Sequence, residues 1–333
     1  MYSLGVAVRR VRLGRTDVRV SALGFGAAPM AGLYREVSEE VASGSVAAAL
    51  DAGVSYFDTA PHYGLGLSER RLGKALASAS DFVISTKVGR RLEPIPVSGD
   101  DMANGFAVPA THRRVWDFSA AGVLASVESS LDRLGLPRAD ILLLHDPDDH
   151  WDQAVGEALP ALAELRARGS VGAIGAGMNQ WQMLARLVAE TSVDVVMLAG
   201  RYTLLEQSAL DELLPLCSER QVSVIAAAVF NSGILARPVV APDATYNYSS
   251  APPDLIDRAR RMAEVCGRFG VTLPQAALQF PRGHPAVASV VIGAHTAAQM
   301  SENARLFASP VPAECWATLK SEGLLRPDAP VPT

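Results

Sequence analysis

Eight times along this chain a short apolar run of strand length is followed by a segment with helical periodicity. The strand-like runs are Ala22–Gly26, Ser55–Asp58, Phe82–Lys87, Asp140–His145, Val171–Ala176, Asp194–Ala199, Ser223–Val229 and Ser289–Gly293. Their helical partners are Ser38–Ala52, Ser68–Ser78, Ser119–Leu134, Asp152–Arg168, Gln180–Glu190, Ser208–Arg220, Pro253–Phe269 and Thr296–Phe307. Strands that alternate with helices and are apolar on both faces form a parallel sheet, because each crossover lays a helix over it. Eight units in succession predict closure into an α/β architecture, a (β/α)8 TIM barrel. The competing doubly wound sheet usually carries G-x-G-x-x-G after its first strand, and here that turn reads Gly24-Phe25-Gly26-Ala27-Ala28-Pro29.

Around this pattern, Arg10–Leu13 and Val18–Ser21 flank the turn cluster Gly14–Asp17 and predict an N-terminal β-hairpin. Two stretches after strands, Gly89–Phe118 and Phe230–Pro252, are too long for tight turns and are expected to be long loops on the C-terminal face, covering a site there. The 333 residues are expected to form one domain, with the barrel at about 22–307 and a C-terminal loop at 308–333. A net charge of −5 with scattered Lys and Arg gives no footprint for nucleic acid and favours a small-molecule substrate. Cys217, Cys266 and Cys315 are far apart and odd in number, which points to reduced thiols, no metal site and a cytoplasmic protein. Met1–Arg12 has no apolar leader pattern, and no run approaches the ~18 apolar residues of a membrane span. Nothing in the sequence indicates a partner protein or an oligomeric state.

In a closed barrel the C-terminal ends of the strands converge, so residues distant in sequence meet at one mouth. The second run ends in Asp58 and its loop brings His62 and Tyr63, the third ends in Lys87, and the fourth in His145. A lysine at the end of an apolar strand needs a counter-ion, which Asp58 can supply. A charged Lys87 beside Tyr63 favours the phenolate and draws the phenol toward working pH, making Tyr63 the proton carrier. His145 can then donate a hydrogen bond to the substrate oxygen. Each residue also has a structural reading: Asp58 as a turn cap, Lys87 snorkelling to solvent, Tyr63 covering the loop, His145 bonded to backbone. His62 and Asp146 adjoin the group, as a loop histidine and a turn-forming Asp-Pro or as substrate contacts. Trp116, Phe118 and Tyr34 can form a ring-binding wall or pack on the rim.

These residues resemble the aldo-keto reductase superfamily, from about Leu13 to Phe307. The match rests on Leu13-Gly14-Arg15-Thr16, Phe57-Asp58-Thr59-Ala60 with Tyr63-Gly64 and Ser68-Glu69, Thr86-Lys87 and Leu144-His145. The resemblance implies a catalytic tetrad of Asp58, Tyr63, Lys87 and His145, with an NAD(P) cofactor lying across the barrel mouth. Within the superfamily, His145–His150, Gly200–Gln207 and Phe230–Gly233 look like the sugar dehydrogenase branch. That implies oxidation of the anomeric C1 hydroxyl of an aldopyranose, of the L-fucose or D-threo-aldose type, to the lactone. Pyridoxal oxidation, general aldehyde or ketone reduction, and a non-catalytic nicotinamide-binding subunit are the rival readings.

The cofactor positions implied by the resemblance depart from the family pattern in places. Asn179 stands one residue late for the carboxamide contact and can instead cap the next helix. Ala199 replaces a common Gln. Phe230 is expected near the nicotinamide, and the turn of Asn231, Ser232, Gly233, Ile234 and Leu235 is expected to meet pyrophosphate through backbone N–H groups. Glu302 and Asn303 keep the adenine side, whereas Gly293 and Gln299 stand where a lysine and an arginine would neutralise a 2′-phosphate. His295 is the substitute the sequence offers nearby. Losing two charge-assisted contacts costs NADP roughly 1.5–3 kcal/mol each, so NAD is favoured over NADP.

Overall fold

The computed structural model describes residues 9–333, so the reading of Met1–Arg12 as leaderless lies partly outside the described residues. The eight strands are β1 Leu23–Gly26, β2 Tyr56–Asp58, β3 Val83–Val88, β4 Ile141–His145, β5 Ala173–Met178, β6 Val195–Ala199, β7 Ser223–Ala227 and β8 Val287–Gly293. Every neighbouring pair is parallel, and β8 pairs with β1 to close the barrel. The helices are α1 Glu39–Asp51, α2 Leu67–Leu76, α3 Ala120–Leu134, α4 Leu159–Ala167, α5 Trp181–Glu190, α6 Leu213–Arg220, α7 Pro253–Arg268, α8 Leu273–Gln279, α9 Ala297–Ala308 and α10 Ala313–Ser321.

Two cores follow from the period of two along each strand. Residues of one parity, among them Tyr56, Ile141, Leu143, Val195, Met197, Ile225 and Val291, fill the barrel interior. Those of the other parity, such as Phe57, Leu142, Leu144 and Val196, pack under the surrounding helices. The N-terminal hairpin, Arg10–Arg12 paired with Arg19–Ser21, adds Leu13 and Val20 to the interior cluster. The helices start where capping chemistry allows: Ser38, Ser119 and Thr296 accept from the backbone N–H of Val41, Gly122 and Gln299.

Four expectations need correction. The segment 308–333 is not a plain loop, because α10 buries Cys315, Trp316 and Leu319 against the barrel. The helix α8 lies between the seventh expected helix and β8, and all seven of its residues are buried, the polar pair Gln275 and Gln279 included. The long Gly89–Phe118 connection is itself folded, with Arg90–Pro94 antiparallel to His112–Trp116 and a smaller ladder between Asp100–Asp101 and Phe106–Pro109. The expected helix at Asp152–Arg168 has a π-helical turn at Ala154–Ala158 just before Pro160, whose ring would clash with the carbonyl four residues earlier in a regular helix. Among the described residues no helix is long and apolar enough to cross a membrane.

Candidate active site

Strand parity decides which polar groups face the mouth. Asp58 shares its parity with interior Tyr56, and His145 with interior Ile141 and Leu143. Lys87 lies level with Leu143 on the adjoining strand. Three charged or titratable side chains therefore top the apolar column inside the barrel, as the sequence predicts.

The expected ion pair is present and buried. Lys87 Nζ donates to both oxygens of Asp58, at 2.8 and 2.7 Å, and to the Thr59 carbonyl at 3.0 Å, with the two side chains 2% and 5% exposed. Ser85 Oγ also donates to Asp58 Oδ1 at 2.7 Å and is within 2.9 Å of Tyr56 OH. Behind the pair, Thr86 Oγ1 donates to the fully buried Glu69, which also accepts from Arg133 Nε, and Thr59 Oγ1 donates to Ser68 Oγ. The Ser68-Glu69 and Thr86 elements of the motif are thus scaffolding for the strands that carry Asp58 and Lys87.

Tyr63 is packed between His145 and Phe106, with ring centroids 5.8 and 6.1 Å away, and the Lys87 ammonium lies 4.9 Å from its ring centroid. Here the electrostatics differ from the sequence reading. Burial raises the phenol and outweighs the lowering by Lys87, so Tyr63 is pushed up to about 12 and is a protonated acid at neutral pH. Burial, followed by Arg90 and Lys87, holds His145 well below the ordinary histidine value. Its Nδ1 is buried without a hydrogen-bond partner, so a proton there would be an unsatisfied donor. The neutral ring therefore carries its proton on Nε2, which faces Asp146 Oδ2 at 3.8 Å.

The folded insert contributes groups the sequence reading left out. One face of its ladder presents Arg90, Arg114 and Trp116, while the opposite face carries the Arg113–Glu93 pair. Arg90 pairs with Asp146 and stacks on Trp116 at 4.3 Å; Arg114 pairs with Asp101 and donates to His62. Clustered arginines at both ends of the insert are visible in the sequence, but which face each takes depends on the register. Of the three candidate wall residues, Phe118 is fully buried, whereas Trp116 and Tyr34 are exposed.

The expected cofactor residues divide. Asn179 is half-buried just past β5, near Tyr248 of the Phe230–Pro252 loop; Gln180 occupies the cap position of α5 without a side-chain cap bond, so the capping alternative does not form. Phe230 is half-buried at the rim. Asn231 is turned inward, accepting from Thr203 Oγ1 at 2.6 Å and donating to the Gly200 carbonyl at 3.0 Å, and Leu235 is wholly buried. Asn231 N donates to Ala228 O, and Gly233 N and Leu235 N to Phe230 O, so the expected run of free N–H groups narrows to Ser232 and Ile234. Gly293 is exposed at the end of β8, and Gln299 Oε1 accepts from His295 N. Glu302 is held by Arg305, and Asn303 is half-buried. Burial holds His295 below its ordinary value, and the Arg35 charge adds to the effect, a nearby cation that the sequence reading overlooked.

The aldo/keto reductase family model matches residues 22–322. The chain is 47% identical over 312 residues to a D-threo-aldose 1-dehydrogenase of a Pseudomonas species, covering 92% of this chain and 95% of that one. It is 40% identical to a pyridoxal 4-dehydrogenase of Microbacterium luteolum, covering 94% and 97%. A solved aldo-keto reductase from Bacillus halodurans superposes with a TM-score of 0.75 at 25% identity, covering 96% of this chain and 97% of that one.

Proposed function

This chain belongs to the aldo/keto reductase family, a family of nicotinamide-dependent oxidoreductases, and from that premise we propose that it oxidises the anomeric C1 hydroxyl of an aldopyranose to the lactone with NAD. The observation that carries the site assignment is the buried Lys87–Asp58 pair beneath Tyr63, with the neutral His145 ring edge-on to the phenol. The 47% identity to a D-threo-aldose 1-dehydrogenase supports the substrate class.

The donor set suits a nicotinamide dinucleotide: the Asn179 amide can meet a carboxamide, Phe230 offers an apolar face, and exposed Gly293 leaves the end of β8 open. When bound, that cofactor supplies the acceptor for the electron pair leaving C1. The chain's own part is to position the substrate and move one proton. His145 Nε2–H orients the reacting oxygen without carrying charge. Tyr63 Oη exchanges the hydroxyl proton, and Lys87, held charged by Asp58, stabilises the oxygen when it is ionised. A phenol raised to about 12 makes the deprotonated form scarce at neutral pH, so sugar oxidation climbs with pH toward that value, while the reverse reduction uses the abundant protonated form. NAD is favoured because Gly293 and Gln299 bring no charge to a 2′-phosphate.

The 40% identity to a pyridoxal 4-dehydrogenase favours pyridoxal as the second reading. Initial rates with L-fucose, D-arabinose, L-galactose, pyridoxal and simple aldehydes, with each nicotinamide in both directions, separate the two. Aldose-dependent NADH formation that Tyr63→Phe abolishes is the expected result. Turnover of pyridoxal or aldehydes without any of aldoses would overturn the sugar assignment.

A further inference from the structure

We propose that Arg114 is a positioning residue that fixes His62 in the tautomer presenting Nε2–H to the cleft, where His62 donates a hydrogen bond to a substrate hydroxyl beside the reacting one. The inference deepens the aldose reading and rests on it for the identity of the acceptor. Its tautomer half stands on geometry alone.

Arg114 Nε donates to His62 Nδ1 at 2.6 Å, and its Nη2 donates to the His62 carbonyl at 2.9 Å. A guanidinium has donors and no acceptor, so the Nδ1 lone pair is filled and the neutral ring's proton sits on Nε2. Asp101 holds the guanidinium in place with two bonds of 2.7 and 2.5 Å, and the Arg114 and Asp101 side chains are 13% and 5% exposed. This is a built arrangement: a buried carboxylate orients an arginine, which orients a histidine. The His62 ring lies edge-on to His145 at 5.6 Å, to Tyr63 at 6.0 Å and to Phe106 at 5.5 Å. Among the described residues nothing accepts from Nε2, although the ring is half-buried at the mouth where Tyr63 and His145 meet.

The charged groups facing His62 are Arg114 and Arg90 from the insert and Lys87 from β3, all cationic, and the neighbouring ring is the neutral His145. Burial first, and then those cations, lowers His62 to about 3. The ring thus remains a neutral donor across the working range. Two neutral imidazole rings whose centroids lie 5.6 Å apart can each donate to one of two oxygens on adjacent carbons, which an aldose has at C1 and C2 and a simple aldehyde lacks.

The test has two arms. In ring-nitrogen-labelled protein, long-range proton–nitrogen correlation should show His62 as the Nε2–H tautomer, unchanged between pH 8 and 5. In Arg114→Met the ring, still kept neutral by burial, Arg90 and Lys87, should lose its single tautomer and show both Nδ1–H and Nε2–H forms, and Arg114→Lys, which keeps a donor beside Nδ1, should restore the Nε2–H form. In the kinetic arm the wild type should prefer an aldose over its 2-deoxy analogue by about 5- to 100-fold in kcat/KM, the range for one unmade hydrogen bond in a buried site. Arg114→Met and His62→Phe should erase that preference, chiefly through KM. A general loosening of the insert would slow both sugars equally and leave their ratio intact. An Nδ1–H tautomer, a His62 that titrates normally in the wild type, or an unchanged sugar ratio in both variants would overturn the proposal. If no aldose turns over, the substrate-hydroxyl half falls with the aldose reading, while the tautomer is decided by the spectra.

Discussion

Replacing Lys87 with methionine tests whether the pair with Asp58 is the electrostatic keystone of the mouth. Methionine keeps most of the aliphatic stem and deletes the ammonium, so Asp58 loses its bonds at 2.7 and 2.8 Å and keeps the one from Ser85 at 2.7 Å. With both side chains almost fully buried, removing one partner should destabilise the fold by about 3–5 kcal/mol. Asp58→Asn should cost a similar amount by stranding the ammonium. The double variant Asp58→Asn/Lys87→Met leaves neither charge buried and should lie within about 1–2 kcal/mol of the wild type, a coupling of roughly 4 kcal/mol or more. Urea unfolding followed by tryptophan fluorescence measures all four corners. The pH dependence has a definite sign. Burial lowers Lys87, but Asp58 and Tyr63 outweigh it, and the group is raised above its ordinary 10.5. Its contribution is therefore fully present below about 10.5 and is lost as pH climbs through the higher folded value. In turnover, Lys87→Met also removes the group that lowers Tyr63, so activity should fall by about 10²–10⁴. Additive single variants, or a Lys87→Met enzyme with wild-type stability and rate, would refute the reasoning.

Two further outcomes follow from close contacts and from charge. A methyl group at Gly73 in α2 would lie 1.9 Å from the Leu134 carbonyl oxygen at the end of α3, so Gly73→Ala should lower stability by about 1–3 kcal/mol, read by urea unfolding with little change in KM. Gln299→Arg brings a charge-assisted donor to the expected 2′-phosphate side and should raise kcat/KM with NADP by about tenfold or more while leaving that with NAD within a few-fold, read by initial rates; an equal change for both cofactors would place the residue elsewhere.

The barrel was legible because its signal is periodic and repeated. Apolar runs fully buried on both faces, separated by amphipathic helices, leave few alternatives, and the parity that sends Tyr56, Ile141 and Leu143 inward sends Asp58 and His145 to the mouth. What escaped was written in other terms. The helix α8 is short and buried on every side, and its polar pair Gln275 and Gln279 faces inward, satisfied by the carbonyls of Ser309, Pro310, Leu306 and Phe307 rather than by water. The α10 segment sits among prolines and reads as loop until its buried face is seen. The Arg114–His62 bond joins residues 52 positions apart, and the facing of Arg114 depends on its pairing opposite Leu92 within the insert. No local pattern encodes that register.

The sign of the Tyr63 shift shows where residue types alone mislead. Its neighbours suggest activation, since a lysine beside a phenol favours the anion, but the balance depends on how much water the fold removes, which no motif states. The same exclusion of water explains the rest of the mouth. Three carboxylates there each have a cation: buried Asp58 with Lys87, buried Asp101 with Arg114, and the partly exposed Asp146 with Arg90. The carboxylate charges are thereby satisfied, and burial first, then the cations, hold both histidines neutral. On the proposed reading, a mouth whose histidines stay uncharged leaves the proton exchange with substrate to Tyr63, the division of labour an alcohol–carbonyl interconversion requires.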